Sequence, residues 1–572
     1  MPEEKKLTGY PSIDKPWLKY YSEEAIHAPL PQGTMYEYMC IHNNDRIDEA
    51  ALNFFGHKIS HRSLRDHVEK CVKALAANDV KAGDLVGVCM LATPETVYLF
   101  YAINRLGAVC NCIVLNATEQ DIRKQMNECR IVFTADLALE KVLKSMNGTN
   151  VQTVISVPVT ASAPFYVRQL ARLKGGKQSK PSNVQQWSEF LNSGNSQSLP
   201  PLRSDEASLA AICYTGGTTG ESKGVMLTNR AGNMIAENYL TAKTIFDFRP
   251  GLKLLDILPP FLAYGLFLGI HLSLCMGCET IMSPDPSPQT FPDKIKKYKP
   301  NCFLGGAMHI DSLMHSPKTQ SLDLSFLQVT AFGGDKVTEE WEQAVQSFLK
   351  RNHAPYGVCN GYGMTEVAGA FCTSSHKLEH MIPFVKNNVK IIDVNSGKEL
   401  KYGQEGEVCI SGPSMMLGYY HMPEITEEVI WEENGERWLH TGDLGYVTED
   451  GYFVISGRIK RIFMSAGADK IIYRVYPMKV ESVLSQCSQV HQCCVVGKPD
   501  RNKGYVPIAF VVLHEGGDRA SAVSEMKALC MKELAESSRP TDYQIVDSLP
   551  MTGAGKIDYR ALEKQAAEMQ QS

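Results

Sequence analysis

Residues 210–230 read AAICYTGGTTGESKGVMLTNR, and this stretch governs how the rest of the chain is read. Leu209 to Tyr214 is a short apolar run of strand type. It empties into Thr215-Gly216-Gly217-Thr218-Thr219-Gly220, with Lys223-Gly224 just beyond. Glycines let backbone N–H groups approach phosphate oxygens, the threonine hydroxyls add donors, and Lys223 brings a positive charge. The spacing is not that of a Walker A loop, because Lys223 follows Gly220 by three positions and is followed by glycine rather than serine or threonine. On composition alone, a phosphate loop and a flexible turn fit equally well.

On the N-terminal side of this loop, β-type runs alternate with helical patterns: DLVGVCML, then ETVYLFYAINRLG, then AVCNCIVL, then EQDIRKQMNEC. That rhythm predicts an α/β architecture. Residues 174–206 interrupt it with KGGKQSKPSN and SGNSQSLPPLRSDE and read as a surface loop or linker. On the C-terminal side, residues 386–457 change character. NNVKIIDVNSGKEL, GEVCISGP and GYFVISGR are short strands parted by Gly and Asn turns, which predicts a small antiparallel or barrel-like unit. The remainder after Arg458 carries its own strands (CCVVGKPD, IAFVVLH) and helices, enough for a separate small domain. The uncharged run from Ile257 to Cys278, ILPPFLAYGLFLGIHLSLCMGC, has the length of a membrane span. Pro259-Pro260 and glycines at 265, 269 and 277 instead favour a buried strand and helix lining an apolar cavity.

The 572 residues suffice for three or four domains with large cores. With 44% apolar and 21% charged residues, the chain has ordinary globular composition. Its 58 basic against 63 acidic residues, net −5, argue against a nucleic-acid protein held by bulk charge. The opening MPEEKKLTGYPSIDKPW has no apolar stretch of signal-peptide type, and the seventeen cysteines are scattered without zinc spacing. Both observations lead to the expectation of a cytoplasmic protein in a reducing compartment.

The order of residues in the Thr/Gly loop resembles the phosphate-binding signature of the adenylate-forming superfamily, which includes acyl-CoA synthetases, peptide-synthetase adenylation domains and luciferases. Ser222, where the family usually has proline, is the noticeable departure. Further matches follow in the family's order. Gly333-Gly334-Asp335 resembles its adenine-contacting turn, and Gly361-Tyr362-Gly363-Met364-Thr365-Glu366 resembles its Y-G-x-T-E. Thr441-Gly442-Asp443 resembles its T-G-D, Gly457-Arg458-Ile459-Lys460 its hinge, and Thr552 to Asp558, TGAGKID, its terminal T-x-x-G-K. The resemblance implies that Thr215, Gly216, Gly217, Thr218, Thr219, Gly220 and Lys223 hold the phosphates of ATP. It implies that Tyr362 and Gly363 lie on the adenine with Gly334 and Asp335, that Thr365 touches the α-phosphate, and that Glu366 holds Mg²⁺. Asp443, beside Arg458, then binds the ribose, and Lys556 is the catalytic lysine. The implied organisation is an adenylation domain over 1–457, a hinge at 458–460 with Lys460 at its pivot, and a mobile α+β lid over 461–572. Two anions, a carboxylate and an α-phosphate, must meet in this chemistry, so the demand is for charge neutralisation rather than a general base.

Amino-acid-activating relatives carry an aspartate after the phenylalanine of their pocket motif. The corresponding stretch here, Pro260-Phe261-Leu262-Ala263-Tyr264-Gly265, has no acid, and a buried ammonium without a partner is costly. Leu262 also stands where many acyl-CoA synthetases have histidine. The apolar Leu266, Phe267, Ile270 and Leu272, with small residues at Gly305-Gly306-Ala307, predict a pocket for an apolar acid of medium- or long-chain fatty type. Coenzyme A is the expected acceptor. A carrier-protein pantetheine is the alternative, because Gly467 and Pro477 are ten apart rather than about six and Lys479 replaces an acid. A non-catalytic nucleotide-binding or membrane-associated protein is the reading from another class. Finally, no acid occurs between Glu140 and Glu189, whereas Lys141, Lys144, Arg168, Arg172, Lys174, Lys177 and Lys180 do. The sequence APFYVRQLARLK within that interval has the pattern of an amphipathic helix, which suggests weak contact with a membrane surface.

Overall fold

The computed structural model describes residues 7–174, 183–203, 205–215, 222–333, 337, 339–466, 472–500, 503–552 and 556–569. The alternation seen in the sequence becomes two large sheets. One has eight strands, and six run parallel from Leu209–Tyr214 through Val109–Cys112, Leu85–Cys89, Ile131–Ala135 and Thr153–Val157 to Val184–Gln186. Its other edge is antiparallel, through Gly224–Thr228 and Gly418–Tyr419. The second sheet has nine strands, with the parallel series Val358–Tyr362, Val329–Gly333, Cys302–Gly305, Lys253–Asp256 and Glu279–Met282 at its centre.

Helices fill the space between the sheets. Pro94–Arg105 is buried along its whole length, which accounts for a sequence apolar on every side rather than on one stripe. The apolar run from Ile257 does not begin with a strand, since the strand Lys253–Asp256 precedes it. It forms a nine-residue π-helix, Tyr264–Leu272, and then the short Ser273–Cys275 helix. Close approach explains its glycines: a Cβ on Gly265 would lie 2.1 Å from the Pro259 carbonyl oxygen, and one on Gly269 would lie 2.6 Å from Asp256 Oδ1. Among the described residues, no helix is long and apolar enough to cross a membrane.

The described residues of the interval 174–206 include regular structure as well as loop. They contain the strand Val184–Gln186 and the helix Trp187–Ser193, whose Trp187 and Phe190 stack at 5.5 Å and pack edge-on against Phe133. Two large aromatics were signal enough to overrule the flanking Gly/Ser/Pro. The 386–457 unit is an antiparallel five-stranded sheet, with Asn388–Ile392, Gly406–Ser411, Ile430–Glu433 and Phe453–Arg458 arranged around the long strand Glu436–Val447.

The C-terminal unit is a second five-stranded sheet dominated by the hairpin Val490–Asp500 and Gly504–Leu513. Its strands alternate strictly. Val495, Ala509 and Val511 face one core, and Cys494, Val496, Ile508 and Phe510 face another, so helices cover both sides. This unit meets the larger region at Arg474, whose guanidinium donates to Asn395 Oδ1 at 2.7 Å, and at His514, whose ring centre lies 6.2 Å from that of His315. The fold class is that expected: large α/β layers, a small antiparallel unit and a separate α+β C-terminal unit.

Candidate active site

The site forms at the carboxyl ends of the parallel strands, where backbone groups and loop residues converge in an open α/β sheet. Leu209–Tyr214 delivers Thr215, and the loop beyond is pinched shut at its neck. The Thr215 N–H donates to the Lys223 carbonyl at 3.0 Å, the Lys223 N–H donates to Thr215 Oγ1 at 3.2 Å, and Ser222 Oγ donates to the Thr215 carbonyl at 3.0 Å. Ser222, the departure from the family pattern, therefore supplies a neck hydrogen bond that proline cannot. Gly216, Gly217, Thr218, Thr219 and Gly220 lie outside the described residues, as do Gly334 and Asp335, which follow the strand Val329–Gly333.

Lys223 leads directly to Glu366. Its Nζ sits 4.7 Å from the centre of the Tyr419 ring, and Tyr419 Oη donates to Glu366 Oε1 at 2.8 Å. Tyr419 is placed by the edge strand Gly418–Tyr419, paired with Val225 two residues after Lys223. Burial, reinforced by the Glu366 carboxylate, pushes the Tyr419 phenol well above its ordinary range, so it remains a donor. Thr365 opens a 3₁₀ turn that carries Glu366 inward to 7% exposure, and the Met416 N–H donates to the Glu366 carbonyl at 2.8 Å. Gly363 is obligatory here, since a Cβ would lie 2.1 Å from the Gly369 carbonyl oxygen.

Tyr362 leads the other way, to Asp443. Its hydroxyl donates to Asp443 Oδ2 at 2.7 Å, and Arg458 Nε lies 2.7 Å from Asp443 Oδ1 across the antiparallel pair that holds both residues. Asp443 is 3% exposed, so both carboxylate oxygens are engaged inside the protein. Burial and then the neighbouring carboxylate hold the Tyr362 phenol far above its usual range, while Asp443 raises that of Arg458. Glu407 and His440 brace the turn: Glu407 Oε1 accepts the Gly442 N–H at 3.2 Å, and Oε2 pairs with His440 Nδ1 at 3.0 Å. Gly442 takes φ +69°, which favours glycine. Sequence reasoning missed Tyr419, Glu407 and His440. Glu407 and His440 are set by strand pairing across some 30 residues and Tyr419 by pairing with Val225 some 190 residues away, which no local motif encodes.

The predicted acyl pocket is tighter than its composition implies. Tyr264 Oη donates to the Gly305 carbonyl at 3.4 Å, the Gly306 N–H donates to His309 Nδ1 at 3.1 Å, and a Cβ on Gly305 would lie 3.4 Å from that nitrogen. Tyr264 and the unpredicted His309 thus take up the room the small residues leave. Phe261 is buried, Leu262 is half-buried, and Leu266, Phe267, Ile270 and Leu272 are core residues. Phe261 and Leu266, with Val88, Met90 and Phe100, enclose a cavity of only about 10 Å³, at the lower limit for one water.

Arg458 is fixed to the larger region by Asp443. Arg461 is fixed to the C-terminal unit by an ion pair with Glu481, a hydrogen bond to the Val495 carbonyl at 3.1 Å and the Tyr559 ring at 5.3 Å. Between them, Ile459 and exposed Lys460 form part of a single 3₁₀ turn. A cavity of about 260 Å³ opens beside this turn, lined in part by Asp393, Leu444, Ile459, Arg474 and Tyr476. Near the end of the chain, the Thr552 N–H donates to the Lys556 carbonyl at 2.7 Å, and Thr552 Oγ1 accepts the Lys556 N–H at 3.2 Å.

The family model described as "AMP-binding enzyme" matches residues 42–420, and that of the "AMP-binding enzyme C-terminal domain" matches 479–556. The chain is 28% identical over 569 residues to a long-chain-fatty-acid–CoA ligase of Bacillus subtilis (strain 168), covering 97% of this chain and 98% of that protein. It is 27% identical over 563 residues to the probable 4-coumarate–CoA ligase 1 of Dictyostelium discoideum, covering 94% and 96%. Among solved structures, the anthranilate CoA ligase AuaEII in complex with anthranoyl-AMP matches with a TM-score of 0.78 at 20% identity, covering 96% of this chain and all of that one.

Proposed function

We propose, from the premise that the chain belongs to the AMP-binding enzyme family, that it is an AMP-forming ligase joining an apolar carboxylic acid, of medium- or long-chain fatty type, to coenzyme A. The observation that carries this reading is a pair of contact chains, Lys223–Tyr419–Glu366 beside the Thr215 neck and Tyr362–Asp443–Arg458, joined through the short segment from Tyr362 to Glu366. In the proposed first step the substrate carboxylate attacks the α-phosphorus of ATP and pyrophosphate leaves. In the second, the thiol of coenzyme A attacks the acyl-adenylate and AMP leaves. Lys223 and the Thr215 neck orient the triphosphate, Thr365 contacts the α-phosphate, and Asp443 accepts the ribose hydroxyls beside Tyr362. Lys556 neutralises the meeting carboxylate and α-phosphate. The adenylation domain covers 1–457, the hinge is 458–460, and the lid covers 461–572.

Glu366 suits a magnesium ligand. It is a buried carboxylate beside the loop neck, with one oxygen fixed by Tyr419. When bound, the ion neutralises charge on the phosphate oxygens. Tyr419→Phe keeps the ring beneath Lys223 but removes the donor to Glu366, leaving a buried acceptor unsatisfied at about 1–3 kcal/mol. The expected result is an adenylation rate reduced about tenfold, with more Mg²⁺ needed for half-maximal activity. Pyrophosphate exchange measured across a magnesium titration reads both effects, and an unchanged titration curve removes Tyr419 from this role.

The apolar lining and the absence of an acid over Pro260-Phe261-Leu262-Ala263-Tyr264-Gly265 support the choice of acid, as does the name of the Bacillus relative. A panel of fatty, aryl and amino acids assayed for ATP–pyrophosphate exchange is expected to show fatty acids far ahead of any amino acid. Exchange driven by one amino acid and by no fatty or aryl acid sinks this reading. Repeating the panel with coenzyme A and with a phosphopantetheinylated carrier protein separates the two acceptors. Absence of exchange with every acid favours the non-catalytic reading.

A further inference from the structure

The helix Phe165–Lys174 leaves Phe165 67%, Tyr166 61%, Leu170 57% and Leu173 83% exposed. Eighteen large apolar side chains are exposed among the described residues, and these four fall within nine consecutive positions, so their clustering is not the ordinary scatter of a protein surface. At about 100° per residue they fall within an arc of about 140° on the helix, which they share with the half-buried Gln169. Val167 lies outside that arc and packs on the main core. The helix is therefore docked by its underside and apolar on its free side, the reverse of an ordinary surface helix. The loop leading into it is clamped to the body. Ser162 Oγ donates to the buried Glu95 carboxylate at 2.5 Å, and the Val159 N–H donates to Asp136 Oδ1 at 3.3 Å, beside Leu137, itself 61% exposed.

We propose that this helix is a membrane-surface anchor that lies flat in the headgroup region of an anionic bilayer. Charge complementarity selects that occupant over an apolar protein groove. No acidic residue occurs between Glu140 and Glu189, an interval holding seven lysines and arginines, and Arg168 is exposed on the helix next to the apolar arc. Phe165 and Tyr166 at the start of the helix are of the aromatic type that partitions at such interfaces. The clamp at Ser162 holds the helix at a fixed position on the body, so insertion of Leu170 and Leu173 sets how the enzyme faces the bilayer. The inference does not rest on the identity of the acid, and its test reads binding rather than turnover.

The full-length protein is sedimented with vesicles of phosphatidylcholine alone and of phosphatidylcholine with phosphatidylserine. The expected recovery is about tenfold higher on the anionic vesicles and falls with added salt, because the attraction is screened. The double variant Leu170→Asp/Leu173→Asp is expected to lose binding about tenfold or more while retaining its pyrophosphate exchange with a soluble acid and its thermal transition. Arg168→Glu is expected to reduce the preference for anionic over neutral vesicles. Equal recovery on the two vesicle types, or unchanged binding by the double variant, overturns the proposal. A soluble protein partner as the true occupant gives the first of those results.

Discussion

Lys556→Ala is expected to lower acyl-adenylate formation about 100- to 1000-fold, equivalent to about 3–4 kcal/mol of transition-state stabilisation. Two anions meet in that step, and a preorganised cation between them acts on the transition state more than on either reactant. Thr552 grips the backbone of Lys556 on both its N–H and its carbonyl, and Met551 bridges to Ile557, so truncation at Cβ leaves the support intact. The same variant is expected to convert supplied acyl-adenylate to thioester at near the unaltered rate, because on the proposed alternation the lid has by then turned the lysine away. Pyrophosphate exchange and thioester formation are measured separately on the folded variant. Equal loss of both half-reactions excludes domain alternation as the mechanism.

Lys460→Pro is expected to give the opposite pattern, sparing pyrophosphate exchange to within about twofold and reducing thioester formation about 100-fold. Arg458 belongs to the larger region through Asp443, and Arg461 belongs to the lid through Glu481, Val495 and Tyr559. A rotation of one body against the other therefore falls on Ile459 and Lys460. Proline fits the early positions of a 3₁₀ turn but fixes φ, so it permits the arrangement seen here and resists the change. Loss of both half-reactions together with a lowered thermal transition would falsify the hinge assignment in favour of simple misfolding.

Strand-and-helix periodicity was legible wherever burial follows one pattern along the chain. Examples are Leu85–Cys89, Pro94–Arg105 and Val109–Cys112, and the Val490–Asp500 hairpin whose alternate residues feed two cores. Legibility failed where a few residues outweigh their surroundings. Trp187 and Phe190 order a stretch that Gly, Ser and Pro make look like linker, and Gly265 and Gly269 admit a π-helix that no hydrophobic period announces. At the candidate site, Thr215, Lys223, Tyr362, Glu366, Asp443 and Arg458 could be proposed from the sequence because each lies in a short local motif. Tyr419, Glu407 and His440 were not, because each acts through a partner brought close only by tertiary structure, and His309 was passed over although its partner Gly306 lies only three residues away. The acyl pocket was least readable of all. Its residue types fix what it tolerates, whereas its volume depends on how Tyr264 and His309 pack against Gly305 and Gly306.

Asp443 gives this site a property of its own. Its two carboxylate oxygens are held inside the protein by Tyr362 and Arg458. Each oxygen keeps a further lone pair, so on the proposed assignment the ribose hydroxyls join these donors rather than displace them. The carboxylate is aimed in advance, and the sugar meets an acceptor whose orientation is already fixed.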